Sequence, residues 1–90
     1  MIASFSSRGP VAWDNNTLNK PDILAPGVEI CAAQYRSFAS NAECLDDKHT
    51  AISGTSMAAP HVSGAVALIK QAHPDWTPEF IKFVLKNTSV

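Results

Sequence analysis

Apolar and small polar positions alternate along Ile2-Ala3-Ser4-Phe5-Ser6, a period of two that predicts a half-buried strand. Arg8-Gly9-Pro10 breaks the run. Asp14-Asn15-Asn16-Thr17 is a turn cluster, because Asn and Asp side chains bond nearby backbone and tolerate left-handed dihedrals. Its flanks, Val11 to Trp13 and Leu18 to Lys20, are expected to pair as a hairpin. Lys20-Pro21-Asp22-Ile23-Leu24-Ala25-Pro26-Gly27 sets two prolines and a glycine around a short apolar core, which predicts a rigid extended connection with a tight turn at Pro26-Gly27. A short buried strand over Val28 to Ala33 should follow. From Gln34 to Lys48 the chain turns polar, with Ser37, Ser40, Asn41, Asp46 and Asp47, and reads as an exposed loop.

Beyond that loop the period changes. Val62, Ala65, Val66, Ile69 and Ala72 recur on one helical face, predicting a helix from about Ser56 to Ala72. Ala58, Ala59, Ser63, Gly64 and Ala67 line its other sides. Small side chains on most sides let neighbouring backbones approach, which suits a helix in the middle of a fold. Thr77-Pro78-Glu79 supplies an N-cap, a proline at the first helical position and an acid in the first turn. A second, amphipathic helix should run from Pro78 to about Asn87 and bury Phe80, Ile81, Val84 and Leu85.

Ninety residues suffice for one modest core, so one compact unit is expected. The net charge is −1 and the seven Lys and Arg residues are scattered, which argues against a nucleic-acid partner. No apolar run approaches the roughly 20 residues that span a bilayer, since Lys70 and the Ser and Gly residues interrupt the most apolar segment, so no membrane partner is expected. Met1 to Arg8 lacks the charged head and apolar run of a secretory signal, so the signal of a secreted protein would lie upstream. Cys31 and Cys44 either close a short loop through a disulfide, which would contribute about 3 kcal/mol, or stand as two unpaired small core residues.

The chemistry concentrates at Thr50-Ala51-Ile52-Ser53-Gly54-Thr55-Ser56, where an apolar approach meets a glycine and then a serine at the mouth of the first helix. Unpaired N–H groups and the positive end of the helix dipole favour an oxyanion developing beside a serine hydroxyl. Thr55 or Ser56 as an ordinary helix cap is the plainer reading, and spacing alone favours it.

Resemblance changes that balance. Gly54-Thr55-Ser56-Met57-Ala58-Ala59-Pro60-His61-Val62-Ser63-Gly64 closely resembles the nucleophile motif of the subtilisin-like serine proteases. Phe5 to Pro10 and Lys20 to Val28 resemble the stretches that precede that motif, and His73-Pro74-Asp75-Trp76-Thr77-Pro78 resembles the turn after the family's central helix. The Gln34 to Lys48 loop is the least similar part. The resemblance implies the α/β class, with residues 1–90 a segment of a three-layer parallel-sheet catalytic domain. It implies a serine endopeptidase in which Ser56 is the nucleophile, acting on protein or peptide substrates through an acyl-enzyme. The Ser56 N–H would be one oxyanion donor, the Thr55 hydroxyl a nearby helper, and Ser53 and Gly54 would line the cleft. Met57 would pack beside the nucleophile. No cofactor is required, although the family often carries structural calcium and its full-length members are extracellular.

A serine nucleophile needs a base within about 2.6 to 3.2 Å. His61 lies five residues on, about 140° around the helix and more than a turn along, and reads as a buried structural histidine. His73 is roughly 25 Å away along the helix, and His49 reaches Ser56 only if the chain doubles back. In the family the base histidine, its orienting aspartate and the oxyanion asparagine come from earlier motifs, none of which occurs in these residues. The chain alone should therefore be inactive, with the N-terminal part of the catalytic domain as its partner. A non-catalytic peptide-binding module derived from a protease is the alternative, and a small structural domain is a third. Asp46-Asp47 reads as solvated charge rather than a calcium site.

Overall fold

A computed structural model describes residues 1–35, 44 and 46–90. The element order is β1 (Val11–Trp13), β2 (Asn16–Leu18), β3 (Ile30–Ala33), β4 (His49–Ile52), α1 (Thr55–Ala72) and α2 (Pro78–Asn87). Short strands and two helices give an α/β chain.

β1 and β2 pair antiparallel, Val11 with Leu18 and Trp13 with Asn16, leaving Asp14 and Asn15 as the whole turn. Both adopt positive φ, 49° and 58°, as a two-residue hairpin turn that matches strand twist demands. The second strand consequently starts at Asn16, two residues earlier than the expected Leu18. The Asn16 Nδ2 donates to the Asp14 carbonyl at 3.0 Å and tightens the reversal.

β3 and β4 also pair antiparallel, Ile30 with Ile52 and Ala33 with His49. Cys31, on β3, is disulfide-bonded to Cys44, their Cα atoms 5.5 Å apart. The expected turn at Pro26-Gly27 is displaced. The chain stays extended to Gly27 and bends at Val28 and Glu29, where Glu29 takes φ 52°, so β3 begins at Ile30 rather than Val28. Nor is β3 buried, since Cys31 to Ala33 are exposed and, among the described residues, only β4 pairs with them. Of the polar loop, residues 36–43 and 45, which include Ser37, Ser40 and Asn41, lie outside the described residues.

Ile2 to Ser6 forms no strand. A turn at Ser4-Phe5 is closed by the Ser6 N–H donating to the Ala3 carbonyl at 3.1 Å, and Ile2 and Phe5 are 57% and 47% exposed. Alternation alone cannot make a strand without a neighbour to take its hydrogen bonds, and neither two-stranded sheet extends to it.

α1 matches its expected span, but it is not a buried helix in this chain. Met57, Ala58, Val62, Ala65, Val66 and Ile69 make a half-buried stripe, no residue of α1 is fully buried, and Leu68 is 69% exposed. α2 fills its expected span with Ile81 buried and Val84 and Leu85 half-buried. Phe80, expected inside, is 44% exposed and meets Trp76 edge-on at 4.8 Å. Ile81 is the sole buried apolar residue among the described residues. The radius of gyration is 16.4 Å, against roughly 12 Å for a compact chain this long.

The helices are joined through a short turn. The Ile69 carbonyl accepts from the His73 N–H at 2.8 Å, the Lys70 Nζ donates to the Trp76 carbonyl at 2.7 Å, and the His73 ring stacks on Trp76 at 3.8 Å. Between α1 and α2 runs an apolar groove of about 450 Å³ lined by Val62, Val66, Ile81 and Leu85. Asp22 sits at its edge and gathers Lys20 at 2.6 Å, Lys82 at 3.4 Å and Lys86 at 3.9 Å, tying the extended connection to α2.

Candidate active site

β4 delivers the chain to Ser53 and Gly54, and Gly54 is the N-cap of α1. Its dihedrals, φ 156° and ψ 164°, fall in a region open essentially to glycine alone. Having no side chain, Gly54 makes no cap hydrogen bond, and no acid stands in the first turn of α1. Thr55 is therefore the first helical residue and Ser56 the second, both exposed. Neither side chain caps the helix, so the plainer reading of the two hydroxyls fails here. The N–H groups of the first turn have no acceptor inside a helix, and the dipole concentrates positive potential among them. Met57 donates its N–H back to the Gly54 carbonyl at 3.0 Å, and its Sδ lies 3.5 Å from where a Cβ on Gly54 would stand. Pro60, four residues after Ser56, carries no N–H, so the Ser56 carbonyl lacks its usual helical donor.

A brace from elsewhere in the chain holds the residues just before α1. The Gly54 N–H donates to the Gly27 carbonyl at 2.8 Å, and the Glu29 N–H donates to the Ser53 Oγ at 2.9 Å. The approach is close enough that a Cβ on Gly27 would lie 2.8 Å from the Gly54 carbonyl oxygen and 3.3 Å from the Ala58 Cβ. Only glycine fits at Gly27. The Ser53 hydroxyl, at the expected entry to a substrate cleft, accepts from backbone 24 residues away. Nothing local in the sequence signals that bond, because every non-proline residue offers the same N–H.

The three histidines fall far apart in role. His61 is exposed rather than buried, and its Nδ1 donates to the Met57 carbonyl at 2.8 Å on its own helix. His73 is stacked on Trp76 at the other end of α1. His49 opens β4, with Nδ1 3.0 Å from both carboxylate oxygens of Asp46. The His49 ring, backbone N–H donation from Lys48 at 2.9 Å and the His49 N–H at 3.0 Å together hold the Asp46 carboxyl below its ordinary pKa. Spacing of three residues is the one sequence signal for this couple. β4 runs away from it toward Ser56 at about 3.3 Å per residue, and no histidine among the described residues bonds Ser56.

Beside Thr55 an open, mainly apolar hollow of about 520 Å³ is lined by Ile2, Phe5, Leu24, Pro26, Ala58 and Ala59 among others. Among the described residues no three His, Cys, Asp or Glu side chains gather to hold a metal ion, and Asp46 is committed to His49. No helix there is long and apolar enough to cross a membrane.

Comparison with known proteins places the sequence in one family. The Subtilase family profile matches residues 1–90. Subtilisin-like protease SBT1.6 of Arabidopsis thaliana is 48% identical over 92 aligned residues, which cover 99% of this chain and 12% of that protein. Subtilisin-like protease SBT1.3 of the same plant is 49% identical with the same coverage, and SBT4.8 is 49% identical over 98% of this chain and 13% of its own length. The chain therefore spans about an eighth of the length of these relatives. No solved structure matches it. With the glycine cap, the exposed serine behind it and the family profile covering every residue, the chain belongs to the subtilase family of serine proteases.

Proposed function

We propose that residues 1–90 are an incomplete part of a peptidase catalytic domain and that Ser56 is its nucleophile. One observation carries the reading. Ser56 presents a hydroxyl that caps nothing, at the second position of a helix whose N-terminus no side chain seals. Ser56 Oγ attacks the carbonyl carbon of a bound protein or peptide. Its proton passes to a histidine base supplied, with the orienting aspartate, by residues outside these ninety, as the family resemblance implies. The carbonyl oxygen becomes an oxyanion that accepts from the Ser56 N–H and gains from the α1 dipole, with the Thr55 hydroxyl nearby and an asparagine from outside these residues completing the donors. Collapse expels the amine and leaves an acyl-enzyme, which water hydrolyses.

The exposed small residues of α1, Ala59, Ser63, Gly64 and Ala67, support completion by further sheet strands, the three-layer parallel arrangement that the family implies. No cofactor takes part in these steps, and a structural calcium of the full-length protein would draw its ligands from other segments. The Cys31 to Cys44 bridge favours an extracellular setting, where disulfides persist.

The test is active-site labelling. In the full-length protein a fluorophosphonate should modify Ser56, and Ser56→Ala should abolish labelling while lowering kcat by about a millionfold. An unlabelled wild-type protein that binds peptides without cleaving them would overturn the reading in favour of a non-catalytic binding module.

A further inference from the structure

We propose that Asn15 is an N-glycan acceptor. Asn15-Asn16-Thr17 meets the chemical requirement for such a site, an asparagine followed two residues later by a hydroxyl with no proline between. A second such triplet occurs, Asn87-Thr88-Ser89, and the structure separates the two.

Asn15 stands at the tip of the β1–β2 hairpin with φ 58°, and every residue from Val11 to Lys20 is exposed. Its side chain takes no part in holding the turn, because the reversal is tightened by the neighbouring Asn16 amide on the Asp14 carbonyl. A bulky hydrophilic chain at the Asn15 Nδ2 would project into solvent and displace no contact. The hydroxyl of Thr17 lies on an exposed strand two residues away. At the other triplet all three side chains are bonded to helix carbonyls. Asn87 Nδ2 donates to Phe83 at 2.8 Å, Thr88 Oγ1 to Val84 at 2.8 Å and Ser89 Oγ to Leu85 at 2.7 Å. A glycan on Asn87 would have to be accommodated on a helix end already closed by its own side chains.

The Cys31 to Cys44 disulfide supplies an independent reason. Such bridges form in the oxidising secretory compartment, which is also where oligosaccharides are transferred to asparagine. In that transfer a lipid-linked oligosaccharide diphosphate is the donor. The bond from the sugar C1 to the diphosphate oxygen breaks, a bond from C1 to the Asn15 Nδ2 forms, and the amide proton leaves with the lipid diphosphate.

Expression of the full-length protein through a eukaryotic secretory pathway tests this, with enzymatic glycan release in heavy-oxygen water and mass spectrometry of the peptides that carry Asn15 and Asn87. The expected result is a released, isotope-marked aspartate at Asn15 and unmodified Asn87. Because Asn15→Gln removes a residue suited to positive φ, Thr17→Ala serves as a second variant that should abolish the modification, and Thr17→Ser should retain it. An unmodified Asn15 in secreted wild-type protein, or a modification that survives Thr17→Ala, overturns the proposal. None of these readouts depends on peptidase activity.

Discussion

The two helices begin in opposite ways. α2 is sealed: the Thr77 Oγ1 accepts from the Phe80 N–H at 3.1 Å, Pro78 needs no hydrogen bond, and Glu79 meets the dipole. α1 is left open behind a glycine, with no side-chain cap and no acid. A sealed start stabilises the helix itself, whereas an open one keeps donors and positive potential for something that arrives from outside. The burial contrast is parallel, since α2 carries the buried Ile81 and α1 has only a half-buried stripe. The sequence of α1 is written for neighbours, and that of α2 for its own stability.

The largest effect on stability should follow from Ile81→Ala, which empties the buried position of α2 and should lower unfolding free energy by about 3 kcal/mol in denaturant titrations of the full-length protein. A shift near zero would deny α2 its anchoring role. At the mouth of α1, Ser53→Ala removes the tie to the Glu29 N–H, leaves that donor to water and loosens the approach to Ser56, so kcat should fall about tenfold with KM nearly unchanged. A rise in KM instead would mean that Ser53 meets the substrate directly. The cap comparison itself is sharpened by paired truncations. Thr77→Ala should cost about 1 kcal/mol. Thr55→Ala, which removes no cap, should stay within about 0.5 kcal/mol; equal losses at both would erase the distinction.

The smallest effect concerns acid. Hydrogen bonding from Lys20, and more weakly from Lys82, lowers the Asp22 pKa below its ordinary 3.8. A carboxyl depressed on folding stabilises fully above its ordinary pKa and loses that contribution as pH falls through the lower, folded value. Asp22→Asn should therefore flatten the acid limb of a stability profile and leave less to lose at high salt, the pairs being partly exposed. An unaltered acid limb would mean that α2 holds its place without this ion cluster.

Legibility in the sequence followed the range of the forces involved. Both helices were readable to within a residue because their periodicity, caps and breakers act over three or four positions, as the Thr77-Pro78-Glu79 start shows. The hairpin was readable in kind but shifted, since one pair of positive-φ residues, Asp14 and Asn15, was enough to reverse the chain. Ile2 to Ser6 misled, because alternation describes a strand's faces and says nothing about whether a partner strand is present. Phe80 misled similarly, meeting an aromatic neighbour at the surface instead of a core.

By itself the sequence determined the family, the helix that carries Ser56 and the glycine in front of it, all through short contiguous motifs. Only the tertiary structure decided that Gly54 rather than Thr55 or Ser56 caps α1, that Ser53 is tied to Glu29, and that His49 is bound to Asp46. The physical reason is that these choices rest on which of many equivalent backbone and polar groups come within about 3 Å of one another, a matter of three-dimensional approach that local spacing does not encode.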